Sequence, residues 1–327
     1  MRSRTQFALA AGLLMAAGLA QAGAVRIDNE PLFRPTGKGF GEVDADADAG
    51  AGVGVAARAA VARVRTNRNV ITLHSGGSVM NNVAGTNVYY IWYGNWAGNT
   101  ATTILTDLAG SIGGSPYFNI NTTYYDTLSG SKKYVTNAVH YLGSTTDNYS
   151  VGKALSDAQI QTVVSSAITS GRLPKDANGV YFVLTSADVN ASSGFCTQYC
   201  GWHTKGSIGG SIIKYAFVGN PDRCPTSCAA QTTGPNGNAG ADGMASIIAH
   251  ELEETVSDPQ LNAWYDGNGA ENADKCAWTF GTQSTAANGA KYNMTLGSRP
   301  FLIQQNWVNK DAVSTQYPNA GYCAVAY

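Results

Sequence analysis

The order of apolar segments predicts an α/β protein, with a mixed, twisted sheet and helices packed on it around one central helix that carries His and Glu. Three observations lead there. Strand-like runs alternate with helical ones from residue 88 onward. The run Asp242 to Asp258 has an apolar residue every fourth position, at Met244, Ile248, Leu252 and Val256. Six cysteines, an even number, follow a secretory start and promise disulfide staples.

Residues 1–22 read as an export signal. Arg2 and Arg4 form the basic start, Phe7 to Ala20 the apolar region, and Ala20-Gln21-Ala22 the small-residue cleavage site. The apolar part is short for a bilayer span, and no later run is long and apolar enough to be one. The expected location is therefore secreted, extracellular or periplasmic. Residues 23–69 form a leader containing Asp44-Ala45-Asp46-Ala47-Asp48-Ala49-Gly50, too simple in composition to bury a core. It is either a mobile linker or a pro-segment. Residues 70–327 are expected to make one exported domain.

Within that domain the elements follow in order. Val88 to Tyr93 is a strand and Thr100 to Ile112 an amphipathic helix. Tyr117 to Tyr125 and Ala138 to Leu142 read as strands. Ser156 caps a helix through Gln159, Ile160, Val163, Val164 and Ile168 that stops at Gly171. Val180 to Leu184 and Ile212 to Val218 are strands, and the long helix follows, with Asp242 as its N-cap and Pro259 setting its end. A twisted sheet beside a long His/Glu-bearing helix is the general plan of zinc peptidases, so the expected arrangement is zincin-like. Trp92, Tyr93 and Trp96 belong to the core on this reading, although the same aromatics would suit a sugar-binding face.

Beyond residue 42 the chain contains only four glutamates, all between 251 and 271. At about 100° per residue, His250 and Glu254 lie roughly 40° apart on one helix face, the disposition of an H-E-x-x-H zinc helix with Glu in the last place. Zinc accepts imidazole nitrogen and carboxylate oxygen alike. His250 and Glu254 are thus two candidate ligands, and Glu251 is the candidate general base. Glu271, after a loop long enough to return to the helix, is the first choice for the third ligand, with Asp266, Asp274 and His203 in reserve. Zinc is the expected metal, and calcium the alternative. Asp266-Gly267-Asn268-Gly269 resembles the start of a calcium loop, but Glu271 and Ala277 stand where an EF-hand needs its glycine and its last glutamate.

Cys196/Cys200 and Cys224/Cys228 are both C-x3-C pairs, and Cys276 and Cys323 bracket the C-terminal segment. Export favours oxidation over a cysteine zinc site. Cys276–Cys323 is the favoured bridge, with the other four paired within their cluster. His74 and His140 carry no motif. A net charge of -1, from 21 basic and 22 acidic residues without a basic cluster, speaks against nucleic acid as a partner. No G-x-S-x-G elbow and no phosphate-binding loop occurs.

Several stretches together resemble the phosphate-induced, or EXORDIUM-like, secreted proteins of plants and their bacterial relatives. They are Ile91-Trp92-Tyr93-Gly94, Phe195-Cys196, Cys200-Gly201 with His203, and Val218-Gly219-Asn220 before Cys224-Pro225 and Cys228. Gly240-Ala241-Asp242-Gly243-Met244 and Thr255-Val256-Ser257-Asp258-Pro259 complete the set. The resemblance implies an extracellular or cell-wall-associated protein linked to growth and nutrient responses, with no established enzymatic activity. Plant members generally lack the acidic H-E-x-x-E, and the bacterial branch is where His250, Glu251, Glu254, Trp264-Tyr265-Asp266 and Glu271 find their match. Two readings stay open: a zinc-dependent hydrolase acting on a peptide or protein substrate, or a non-enzymatic protein that binds a cell-wall component. A polysaccharide-cleaving enzyme, which needs two close carboxylates, is a weaker third.

Overall fold

The computed structural model describes residues 70–309 and 321–327, together with the backbone of two short antiparallel strands, Val25–Ile27 and Glu30–Leu32. The export signal and most of the leader lie outside the described residues. The centre is a five-stranded sheet built from β1 (Thr86–Tyr93), β2 (Val139–Asp147), β3 (Gly179–Thr185), β4 (Gly201–Ile208) and β5 (Ser211–Val218). Its spatial order is β4-β5-β3-β1-β2. Four strands run parallel, and β4 alone is antiparallel, at one edge. The sheet is therefore mixed, as the alternation of elements implied.

Three helices pack on it: α1 (Ala101–Ser111), α2 (Asp157–Thr169) and α3 (Ala239–Ser257). β2 and β3 flank β1 on opposite sides, so right-handed crossovers place α1 and α2 on opposite faces. Side-chain parity along β4 agrees. A Cβ at Gly201 would meet Ile247 of α3, whereas one at Gly206 would meet Gln161 of α2. β1 and β3 read as near-continuous apolar runs because both their faces are covered. Trp92, Tyr93 and Trp96 are buried and belong to this core.

Ser156 caps α2 in a full capping box with Gln159. α3 starts earlier than the apolar stripe suggested: its N-cap is Asn238, whose side chain accepts from Ala241 N, and Asp242 instead holds Asn236 through its carboxylate. Nor is α3 amphipathic, because both its apolar stripe and its acidic residues are buried.

Two expectations need correction. Tyr117 to Tyr125 is no strand; Phe118–Thr123 is a 3-10 helix. Asn121, Thr122 and Thr123 each donate from the side chain to the carbonyl three residues back, which favours a tight turn over a ladder. The strand β4, which carries His203, was absent from the expected list. It forms a hairpin with β5 through Gly209 and Gly210, both at positive φ, as a two-residue primed turn requires.

The disulfides are Cys196–Cys224, Cys200–Cys228 and Cys276–Cys323. The first two bind the segment before β4 to the segment before α3, and the third ties the C-terminal strand Tyr322–Ala324 to the acidic loop. Among the described residues, no helix is long and apolar enough to cross a membrane.

Candidate metal centre

The acidic loop is returned to α3 by a chain of local interactions. At the end of α3, Asp258 Oδ1 accepts from Asn262 N and Ala263 N at 2.6 and 2.7 Å, turning the chain through Leu261, which sits at positive φ. Trp264–Tyr265 then pairs with Thr72–Leu73. Asp266 closes the next turn by accepting from Asn268 N and Ala270 N, and it pairs with Lys275 Nζ at 2.9 Å. Asn272 donates to Glu253 O on α3, and Asp274 N donates to Glu254 Oε1 at 3.1 Å. Glu271 and Asp274 are thereby set against the helix, while Asp266 is committed to its own loop. His74 stacks on Tyr265 and His140 contacts Ala84 O, both outside the cluster.

Four side chains converge on Glu254. His250 Nε2 lies 3.0 Å from Glu254 Oε1 and 3.5 Å from Asp274 Oδ1. His203 Nε2, from β4, lies 2.9 Å from Glu271 Oε2 and 3.7 Å from Glu254 Oε2. Of the sequence-derived candidates, the structure brings His250, Glu254, Glu271, Asp274 and His203 together. Glu271 Oε2 is hydrogen-bonded directly to His203 Nε2, and Asp274 faces His250. All but Asp274 are at most 1% exposed, and the Asp274 side chain is 18% exposed.

The polar atoms of this cluster are poorly satisfied by the protein. His250 Nε2 and Glu254 Oε1 are close but out of line for a hydrogen bond, and His250 has no hydrogen-bond partner at either ring nitrogen. Glu254 Oε2, Glu271 Oε1 and both carboxylate oxygens of Glu251 are equally without partners. Buried polar groups are ordinarily hydrogen-bonded, so so many exceptions at one place require a reason. Gly201 matters here: a Cβ at that position would stand 2.9 Å from Glu251 Oε1 and 2.6 Å from Ile247, so glycine lets α3 seat against β4.

Burial and mutual charge shift the titratable groups of the cluster. Burial pushes Glu254 up to about 7, with the Asp274 charge adding to the effect. Burial, followed by the Glu254 charge, raises Glu251 and Glu271 well above the usual carboxylate range. His203 is pushed down to about 3 by burial. For His250 burial acts downward, yet the Glu254 charge and the contacts with Asp274 and Glu254 outweigh it and hold the imidazole well above its usual value.

These donors fit a divalent metal. Around a tetrahedral ion with bonds of about 2.0–2.2 Å, neighbouring ligand atoms stand about 3.4 Å apart, and the contacts above bracket that spacing. Each group of three contains an imidazole, which suits zinc and its first-row neighbours better than calcium with its all-oxygen shell. Among the described residues, an open cavity lined by Ser78, Asn81, Asn178, Lys214 and Gln260 lies apart from the cluster. Gly201 and the structural task of Glu253 were not visible in the sequence; the only signal for His203 was its place beside Cys200.

Fold and cluster define an α/β protein with a buried His/carboxylate centre between α3, an edge strand and a disulfide-tied loop. The chain belongs to the phosphate-induced protein 1 family, whose conserved region matches residues 71–313. It is 34% identical over 286 residues to Protein EXORDIUM-like 3 of Arabidopsis thaliana, covering 76% of this chain and 82% of that protein. Protein EXORDIUM-like 5 of the same plant is 34% identical over 275 residues, covering 72% and 74%. Protein PHOSPHATE-INDUCED 1 of Nicotiana tabacum is 29% identical over 230 residues, covering 61% and 68%. No solved structure matches the chain.

Proposed function

We propose that the protein is a secreted, zinc-dependent hydrolase acting on peptide bonds, exported by residues 1–22 with residues 23–69 as its pro-segment. The observation that carries the reading is the convergence of buried, partner-poor imidazole and carboxylate atoms on Glu254. His250 and Glu254, one turn apart on α3, would hold the metal with Asp274, in the third place first considered for Glu271. Zinc, when bound, polarises a carbonyl and brings water near neutrality in pKa. Glu251, buried beside His250 and Glu254 on α3, would take the proton from the attacking water. On this reading the plan would be zincin-like, with an extended peptide adding to the antiparallel edge strand β4 beside the His/Glu helix. Three disulfides support export.

The test is the metal content of the purified protein beside His250→Ala, followed by peptide turnover. At least one zinc per chain, lost or reduced in the variant, is the expected result. Calcium in its place would favour a non-enzymatic protein that binds a cell-wall component, and absence of any metal would remove the hydrolase reading.

A further inference from the structure

We infer that the centre takes two divalent metal ions, bridged by Glu254, and not one. The inference rests on the zinc reading above and deepens it. The five side chains do not gather into a single shell. They fall into two groups of three, His250 with Glu254 and Asp274, and His203 with Glu254 and Glu271, each with its ligand atoms within 4.8 Å of one another. Glu254 is the only member of both. It presents different oxygens to the two sides, Oε1 toward His250 and Oε2 toward His203. A carboxylate that gives one oxygen to each of two ions is the usual bridge in two-metal hydrolytic centres, where the ions lie about 3.5–4 Å apart.

Charge points the same way. Glu251, Glu254, Glu271 and Asp274 are four carboxyl groups in one buried or nearly buried place. The adjacent cation, Lys275, is paired with Asp266. Two divalent ions offset the negative charge of these groups when ionised more fully than one, and unbalanced charge in a low-dielectric setting is costly. The two sides draw their remaining ligands from different elements. His250 comes from α3 and Asp274 from the short 3-10 turn Asp274–Cys276, whereas His203 comes from β4 and Glu271 from the end of the preceding loop. His203 Nδ1 is also buried without a hydrogen-bond partner.

The experiment is zinc stoichiometry by elemental analysis after loading with excess zinc and desalting, on wild type, His203→Ala and His250→Ala. Circular dichroism and intact disulfides establish that each variant is folded. Two zinc ions per chain in wild type and one in each variant are expected. One ion in wild type overturns the pair, and if His203→Ala keeps that ion while His250→Ala loses it, the single-zinc reading survives alone. No zinc in wild type overturns both. Should either variant fail to fold, cobalt titration of the wild type decides. Two binding steps with paramagnetic signal at two equivalents below twice that at one are expected for bridged ions, and saturation at one equivalent refutes the pair.

Discussion

Replacing Glu251 by Met is expected to stabilise the metal-free protein while abolishing turnover. Glu251 is fully buried, and neither carboxylate oxygen has a hydrogen-bond partner in the protein. A buried polar group left unsatisfied costs about 1–3 kcal/mol. Methionine is of similar length, unbranched and adaptable in a core, and it brings no such group. The gain should be about 1–3 kcal/mol, and a domain of this size rises in Tm by about 2–4 °C per kcal/mol. Thermal unfolding of both proteins in chelator measures it, and the pH dependence gives a second reading. Burial raises the Glu251 carboxyl well above its ordinary 4.5. Below that ordinary value the acid is protonated in folded and unfolded chains alike. As pH rises past about 4.5 the unfolded chain ionises first, so wild type loses stability until the folded group also ionises. The advantage of Glu251→Met should therefore widen from pH 4 to pH 8. A variant that melts below wild type at pH 8 in chelator would show Glu251 to be a satisfied structural acid, and the reasoning would fail.

Other expectations test neighbouring parts. Glu251→Gln should keep its metal by elemental analysis and lose peptide turnover by about 100-fold or more, the usual contribution of a general base. Asp266→Ala removes two turn hydrogen bonds and the Lys275 ion pair; it should melt earlier yet retain wild-type metal content, since Asp266 does not face the cluster. Replacing Cys276 and Cys323 together by Ala opens a link across a sequence separation of 47, with a loss of about 4 kcal/mol in chemical denaturation. Asn238→Ala should cost about 1 kcal/mol in the same assay, the usual value of an N-cap.

Much of this architecture was legible in the sequence because it follows from short-range periodicity. β1, α1, α2 and β3 lie within a few residues of their expected bounds, and the capping box at Ser156 was plain to read. What failed was governed by side chains acting on their own backbone or by distant packing. Asn121, Thr122 and Thr123 turned an alternating run into a 3-10 helix. β4 hid because Gly201, His203, Lys205 and Gly206 interrupt its apolar pattern, although Gly209-Gly210 between it and β5 was a readable hairpin signal. The ligand candidates were visible as an acidic concentration. Their division into two sides was not, since it depends on β4 and on the loop after Asp266 meeting α3 from different directions.

Glu253 supplies the control that gives the rest of α3 its meaning. It sits between Leu252 and Glu254, is fully buried, and like its neighbours is raised well above the usual carboxylate range by burial. Yet the fold provides for it: Tyr117 Oη donates to Oε2 at 3.0 Å, and Asn121 Nδ2 approaches Oε1 at 3.5 Å. That is how this protein treats an acid whose task is to join α3 to the 3-10 segment. One position on, about 100° around the helix, Glu254 keeps an oxygen without a protein partner, and two positions back Glu251 keeps both. The same helix in the same core thus satisfies one buried glutamate and leaves two others short of donors, on the side where two histidines and two further acids converge. A purely structural role would have drawn donors to Glu251 and to Glu254 Oε2 as it did to Glu253, and the proposed metal reading accounts for their lack of them.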